Sequence, residues 1–85
     1  MSAEIIIYTT QFCSFCLRAK QLLDAKKAEY IEIAVDFDPA LRQEMTAKAG
    51  SSSVPQIWIA DDYIGGCDDL FELDRRGMLD TKLAG

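Results

Sequence analysis

The sequence contains no histidine, and its positive charges are outnumbered by its negative ones. Nine Lys and Arg residues stand against fourteen Asp and Glu residues, which gives a formal net charge of −5 over 85 residues. Binding to nucleic acid depends on clustered Lys and Arg side chains that release counterions from phosphates. Nucleic acid is therefore not expected as a main partner, and no imidazole is present to serve as a general base or a metal ligand.

Long hydrophobic runs are also missing. The N-terminal stretch MSAEIIIYTT carries an acidic residue and three consecutive isoleucines, whereas a signal peptide has a basic start and a longer apolar core. No run approaches the roughly 20 apolar residues that a membrane-spanning helix needs. We therefore expect no membrane association and a cytoplasmic location.

The remaining composition, 49% apolar and 27% charged, is that of a soluble globular protein. We expect one small α/β domain over residues 1–85, acting as a monomer. Hydrophobic periodicity and capping residues predict the element order β-α-β-α-β-β-α. The predicted elements are a strand at 5–8, a helix at 14–27, a strand at 30–35, a helix capped by Asp38 and ending at Gly50, a strand at 54–60, a tight turn at Asp61-Asp62, a short strand at Tyr63-Ile64, a helix from Cys67 to Gly77, and one loose C-terminal turn.

Two of the three cysteines, Cys13 and Cys16, stand three residues apart in the stretch FCSFCLRAK. An odd number of cysteines does not suit a closed disulfide framework, and in a reducing compartment cysteines are more often catalytic or metal-binding. A structural zinc site usually needs four nitrogen or sulfur ligands, and only Cys67 is left to add. The other alternative is that both cysteines are small buried apolar residues, but their position at the start of a helix that follows a strand favours thiol–disulfide chemistry.

The position of Cys13 predicts different roles for the two sulfurs. A cysteine at the first turn of a helix lies among unpaired N–H groups and near the positive end of the helix dipole, which favours the thiolate. Cys16 lies one turn further in and should be more covered. We expect Cys13 to attack and Cys16 to resolve, forming a reversible disulfide, with Arg18 and Lys20 as nearby cations that help to activate Cys13.

Three segments together resemble the dithiol glutaredoxin family over nearly the whole chain: IIIYTTQFCSFCLRAKQLL, SSSVPQIWI and IGGCDDLFELDRRG. The resemblance implies a thioredoxin-like fold, with a central four-stranded mixed sheet flanked by helices. It also implies an enzyme that reduces glutathione mixed disulfides and protein disulfides, with glutathione as co-substrate. Its partners would be glutathione and glutathionylated or disulfide-containing proteins. Cys13 matches the family's nucleophile and Cys16 its resolving thiol.

The resemblance also implies a glutathione site. Val54-Pro55 matches the family's cis-proline loop, where backbone groups of Val54 could pair with the cysteinyl residue of glutathione. In GGCDD, the N–H groups of Cys67 and Asp68 could hold the γ-glutamyl carboxylate, and Asp68 or Asp69 its ammonium group. Each of these residues also has a simpler explanation. Pro55 could be a proline at the start of a strand, the aspartates of GGCDD could cap a helix, and Cys67 could be a semi-buried small residue. The residues expected to contact glutathione are Thr10, Phe15, Ser53, Val54, Pro55, Gly66, Cys67, Asp68 and Asp69.

The chain departs from the family pattern at several positions. Cys-Ser-Phe-Cys stands where Cys-Pro-Tyr-Cys is usual, and Phe15 can still supply an apolar wall. Thr10 stands where many relatives have a lysine, and Ser51 where a basic residue is frequent. Arg42 is a candidate to hold the glycyl carboxylate of glutathione, or else a solvated surface charge. We expect weaker affinity for glutathione than in a relative that carries the lysine.

Two other functions remain open. Some relatives with a small residue after the first cysteine, as Ser14 is here, bind a [2Fe–2S] cluster shared between two chains and ligated by the nucleophile, here Cys13, and by glutathione. This would make the protein a cluster carrier or sensor. The other alternative is a thioredoxin-like reductase that is served by a protein reductase, although the GGCDD segment favours glutathione.

Overall fold

Residues 3–85, the part of the chain that the computed structural model describes, contain four strands and four helices. None of the helices in this part is long and apolar enough to cross a membrane. In chain order the elements are β1 (Ile5–Thr9), α1 (Ser14–Ala25), β2 (Ile31–Ala34), α2 (Pro39–Ala49), β3 (Gln56–Ile59), β4 (Asp62–Gly65), α3 (Cys67–Arg75) and α4 (Leu79–Leu83).

The four strands form one mixed sheet in the spatial order β2-β1-β3-β4. β1 runs parallel to β2 and antiparallel to β3, and β4 is antiparallel to β3. The parallel pair is joined through α1, as a crossover connection requires. The predicted four-stranded mixed sheet and its thioredoxin-like arrangement are confirmed.

Alternate residues of β1 point to opposite faces of the sheet and meet different helices. On one face Ile7 packs in the same cluster as Leu23 of α1 and Leu70 of α3. On the other face Tyr8 packs with Met45 of α2. Each such side chain stabilises the fold by roughly 1.5–3 kcal/mol when fully buried. The predicted burial of β1 on both faces is confirmed, and this burial fixes the start of α1 against the sheet.

The predicted ends of α2 are confirmed, whereas α1 is shorter than predicted. Asp38 accepts a hydrogen bond from the N–H of Leu41 at 3.1 Å through its side chain, and Gly50 ends α2 in the left-handed conformation with φ 74°. α1 ends at Ala25, two residues before the predicted end, because the chain turns where Lys27 takes a positive φ of 57°.

Two strand boundaries and one turn also differ from prediction. β2 spans only Ile31–Ala34 and lies at the edge of the sheet, which leaves Ile31 50% exposed. β3 starts at Gln56, not at residue 54, because its ladder with β1 opens with the pair Tyr8 and Gln56. The turn falls one residue earlier than predicted, at Ala60-Asp61, since Ile59 already pairs with Asp62.

The C-terminal segment is a helix and not the loose turn that was predicted. Leu79 of α4 is fully buried in the same cluster as α1 and α3. The N–H of Ala3 donates to the carbonyl oxygen of Leu83 at 3.1 Å, which ties α4 to the first described residue. Burial of Leu79 explains why this short segment is ordered against α3.

Candidate active site

Cys13 is the N-cap residue of α1, in extended backbone conformation with φ −134° and ψ 106°. Its Sγ accepts a hydrogen bond from the backbone N–H of Cys16 at 3.1 Å and lies 3.8 Å from the carbonyl oxygen of Val54. Unpaired N–H groups and the helix dipole stabilise negative charge at such a place. Because Cys13 is partly exposed, its sulfur is within reach of a substrate disulfide.

Cys16 lies one turn further into α1 and is only 1% exposed. Burial raises the pKa of Cys16 from its ordinary value of 9.0 to about 12, and the hydrogen bond with Cys13 acts in the same direction, while the backbone of Thr10 and the charge of Lys20 oppose it. Cys16 is therefore a thiol at neutral pH. The predicted difference in burial is confirmed, and the attacking and resolving roles stay predictions.

The two cations expected beside Cys13 have other partners. Lys20 Nζ forms a salt bridge with Glu32 at 3.0 Å, and Glu32 also accepts a hydrogen bond from the Thr9 hydroxyl at 2.7 Å. The guanidinium of Arg18 lies over the ring of Phe71, 5.4 Å from its centroid. Arg18 and Lys20 leave α1 in different directions, Arg18 towards α3 and Lys20 towards β2. That they help to activate Cys13 stays a prediction.

A cavity of about 310 Å³ opens between the start of α1, the loop before β3 and the start of α3. Eight of the nine residues expected to contact glutathione line this cavity, and Thr10 does not. That they bind glutathione stays a prediction. The lining residues are Phe15, Ser51, Ser53, Val54, Pro55, Gln56, Tyr63, Gly66, Cys67, Asp68 and Asp69. The Val54–Pro55 peptide bond in this wall is cis, as the resemblance implied.

The start of α3 forms the wall opposite α1. Oδ2 of Asp69 accepts a hydrogen bond from the N–H of Gly66 at 2.9 Å. Asp69 therefore caps α3, which confirms the helix-capping alternative for this aspartate. Gly65 has φ +110°, and a Cβ there would lie 2.3 Å from Oδ2 of Asp69. Cys67 is 4% exposed, and burial raises the pKa of its thiol. Asp68 is exposed in the first turn of α3 and is one of the residues that line the cavity.

Polar side chains form a hydrogen-bonded chain along the cavity wall, which we call the neutral chain: Tyr63, Gln56, Ser53 and Ser51. The Tyr63 hydroxyl donates to Oε1 of Gln56 at 2.6 Å, and Nε2 of Gln56 donates to the carbonyl oxygen of Ser53 at 2.9 Å. The hydroxyl oxygens of Ser51 and Ser53 lie 2.9 Å apart. Sequence reasoning did not assign Gln56 or Tyr63 to the site. A signal for Gln56 was its polar side chain at the head of the otherwise apolar strand QIWI, where it is 3% exposed.

Arg42 supports the loop that precedes the cis-proline. Its guanidinium donates to the carbonyl oxygen of Ser52 at 2.8 Å, and Arg42 is not among the residues that line the cavity. One face of this guanidinium is therefore already used to hold the loop. Its proposed role towards a glycyl carboxylate stays a prediction.

The cysteines of one chain do not fit an iron–sulfur cluster by themselves. Such clusters are usually held by four thiolates, and Cys16 and Cys67 are both buried. In residues 3–85 no group of three or more Cys, Asp and Glu side chains could hold a metal ion. Only Cys13 offers an accessible sulfur, so a cluster would need further ligands from outside the chain.

The fold and the cysteine pair define a thioredoxin-like protein with a dithiol site. Residues 5–64 match the family model described as Glutaredoxin. The chain is 54% identical over 80 residues to "Glutaredoxin" of Pseudomonas aeruginosa, covering 94% of this chain and 95% of that protein. It is 47% identical over 81 residues to "Glutaredoxin 3" of Escherichia coli K12, covering 95% and 98%.

Among solved structures, the buckwheat glutaredoxin–glutathione complex superposes with a TM-score of 0.88 at 30% identity, covering 95% of this chain and 76% of that one. The chain therefore belongs to the glutaredoxin family. Membership in this family supports a role as a thiol oxidoreductase, and the predicted resemblance is confirmed.

Proposed function

We propose that the protein is a glutathione-dependent thiol–disulfide oxidoreductase that reduces glutathione mixed disulfides and protein disulfides. The observation that carries this proposal is the contrast between its two neighbouring sulfurs. Cys13 is partly exposed at a helix N-terminus and accepts an N–H hydrogen bond. Cys16 is buried and stays protonated, with a pKa raised to about 12. Cys13 is therefore the sulfur of this pair that begins an exchange reaction at neutral pH, because Cys16 is buried and protonated.

On a glutathione mixed disulfide, the Cys13 thiolate attacks the sulfur of the glutathione moiety. A bond forms between Cys13 and glutathione, the original S–S bond breaks, and the substrate leaves as a thiolate that takes a proton from water. A second glutathione thiolate then attacks the bound glutathione sulfur. This step releases glutathione disulfide and restores the Cys13 thiolate, so that the substrate is reduced while its glutathionyl group and one free glutathione become one glutathione disulfide.

On a protein disulfide, the first attack leaves Cys13 joined to the substrate. Cys16 then loses its proton and attacks Sγ of Cys13, which releases the reduced substrate and forms the Cys13–Cys16 disulfide. Two glutathione molecules return this disulfide to the dithiol. The raised pKa of Cys16 makes this second attack dependent on proton loss, so it follows the first attack and does not compete with it.

Glutathione would lie in the cavity with its sulfur at Cys13. The first turn of α3 offers N–H groups for the γ-glutamyl carboxylate, and Asp68 offers an anion for its ammonium group. The solved buckwheat relative is a glutaredoxin–glutathione complex, which supports the same ligand here. A cytoplasmic setting is part of the proposal, because the cycle consumes reduced glutathione.

The test is a coupled assay in which glutathione disulfide is re-reduced with NADPH by glutathione reductase. Cys13→Ser should abolish turnover on both substrate classes. Cys16→Ser should keep turnover on a small glutathione mixed disulfide, which needs one sulfur, and should lose turnover on a protein disulfide. Both variants are checked for a folded state by circular dichroism. Full activity of folded Cys13→Ser would refute the proposal.

The same assay separates this function from a reductase served by another protein. Glutathione and glutathione reductase are replaced by a thioredoxin reductase with NADPH. We expect negligible turnover in this arrangement. Turnover with the reductase and none with glutathione would favour the thioredoxin-like alternative.

A further inference from the structure

The cavity beside Cys13 has an unusual charge for a site that would receive an anionic tripeptide. Among the described residues, its lining includes two carboxylates, Asp68 and Asp69, and neither Lys nor Arg. Glutathione carries two carboxylates and one ammonium group. The γ-glutamyl carboxylate has the N–H groups of α3 as partners, but the glycyl carboxylate has no cation among the lining residues.

The basic side chains around the site are engaged elsewhere. Arg18 lies over the ring of Phe71, and Lys20 is paired with Glu32. Arg42 donates a hydrogen bond to the carbonyl oxygen of Ser52. Moving any of these cations to the cavity would break a contact that it already makes. A carboxylate that loses part of its hydration without gaining a cation is disfavoured.

The uncharged wall of the cavity is suited to a different chemical group. The neutral chain consists of hydroxyl groups and one carboxamide, all of which can both donate and accept hydrogen bonds. A carboxylate only accepts, whereas a carboxamide both donates and accepts. Ser51 and Ser53 bond to each other, and their oxygens also accept from the N–H of Ser53 and from Nε2 of Gln56, which leaves one hydroxyl donor and one acceptor lone pair free on the pair. An amide can use both of these, whereas a carboxylate can use only the donor.

We propose that this site prefers a glutathione-like thiol whose C-terminal glycyl carboxylate is replaced by an uncharged carboxamide. The inference deepens the proposed function, on which it depends, by naming the substrate class. With the sulfur at Cys13 and the γ-glutamyl group at α3, no Lys or Arg among the lining residues is left to pair with the third residue of the tripeptide.

The direct test compares two mixed disulfides that share one small partner thiol, one made with glutathione and the other with its C-terminal amide. We expect kcat/KM to be about two- to fivefold higher for the amide, mainly through KM, which is the size of effect that exposed charges produce. The ratio should fall towards one as salt is raised, because salt screens the repulsion of the glycyl carboxylate.

Charge-restoring variants test the cause of the preference. Ser51→Lys should reduce or reverse the ratio by placing a cation at the wall. Thr10→Lys should act in the same direction and leaves the hydrogen bonds of the neutral chain intact. Thr81→Lys, on the exposed side of α4 and outside the cavity lining, makes the same change in net charge and should leave the ratio unchanged.

The outcomes separate the inference from the function on which it depends. An equal rate, or a faster rate with the acid, would overturn the inference while the oxidoreductase function stands. An amide preference that Thr81→Lys removes as effectively as Ser51→Lys would also overturn it, because net charge and not the cavity wall would then be the cause. Absence of turnover with both substrates would overturn the proposed function itself.

Discussion

Replacement of Gly65 by alanine should destabilise the protein through a single contact at the start of α3. A Cβ at this position would lie 2.3 Å from Oδ2 and 2.8 Å from Cγ of Asp69. The Asp69 carboxylate must then move, and it is the group that accepts the N–H of Gly66 at 2.9 Å. Gly65→Ala therefore combines an unfavourable backbone conformation with the loss of a helix cap.

The two contributions can be estimated separately. A non-glycine residue with positive φ costs about 1–2 kcal/mol, and loss of a capping side chain costs about 1 kcal/mol. We therefore expect Gly65→Ala to lower the free energy of unfolding by about 2–3 kcal/mol. Gly50→Ala is the matched control, because Gly50 has φ +74° and a Cβ there would meet nothing within 4 Å. It should lose only the backbone contribution.

Urea unfolding, followed by circular dichroism, measures both losses. With a slope of about 1 kcal/mol per molar urea, a difference of about 1 kcal/mol moves the midpoint by about 1 M. In an Asp69→Ala background the clash is gone, so Gly65→Ala should then cost no more than Gly50→Ala. Equal losses for the two glycine variants in the native background would refute the role assigned to the contact with Asp69.

Three further predictions concern titrating groups and the loop before β3. The pKa of Cys16 is raised from 9.0 to about 12, so the native state holds this proton more tightly than the unfolded state does. The free energy of unfolding should therefore fall between about pH 9 and 12. Cys16→Ala should flatten this decline, measured as the urea midpoint at each pH. The pKa of Glu32 is lowered, first by the hydroxyl of Thr9 and then by Lys20. The stability that ionised Glu32 adds is therefore present above pH 4.5 and lost as the pH falls. Glu32→Gln should reduce acid destabilisation by less than about 1 kcal/mol. Arg42→Ala removes the hydrogen bond to the loop carbonyl of residue 52 and should raise KM for a glutathione mixed disulfide about two- to fivefold, with kcat unchanged.

Local signals predicted the parts of the fold that depend on local causes. The cap at Asp38 and the left-handed Gly50 set the ends of α2 within the segment itself. The apolar run of β1 is buried because it lies between two neighbouring strands and between two helix layers. The different burial of Cys13 and Cys16 at the start of α1 was also predictable, because helix geometry places Cys16 one turn further into the helix than Cys13.

Features that depend on tertiary pairing were missed or misplaced. The neutral chain exists because the β3–β4 hairpin brings Tyr63 and Gln56 to the same cavity wall, and no local spacing predicts this. The partner of Lys20 was also missed, because sequence distance shows only that Lys20 follows Cys13 on α1. In the structure Glu32 of the adjacent strand binds it, and this pairing depends on where β2 lies relative to α1.

The central claim is that Cys13 is the one reactive sulfur of the three, and competitive alkylation tests it most directly. The reduced protein is treated with substoichiometric iodoacetamide at pH 7, digested, and analysed by mass spectrometry of the cysteine peptides. Because burial raises the pKa values of Cys16 and Cys67, Cys13 should be modified at least about tenfold faster than either. Modification of Cys16 or Cys67 at the same rate as Cys13 in the folded protein would contradict the account.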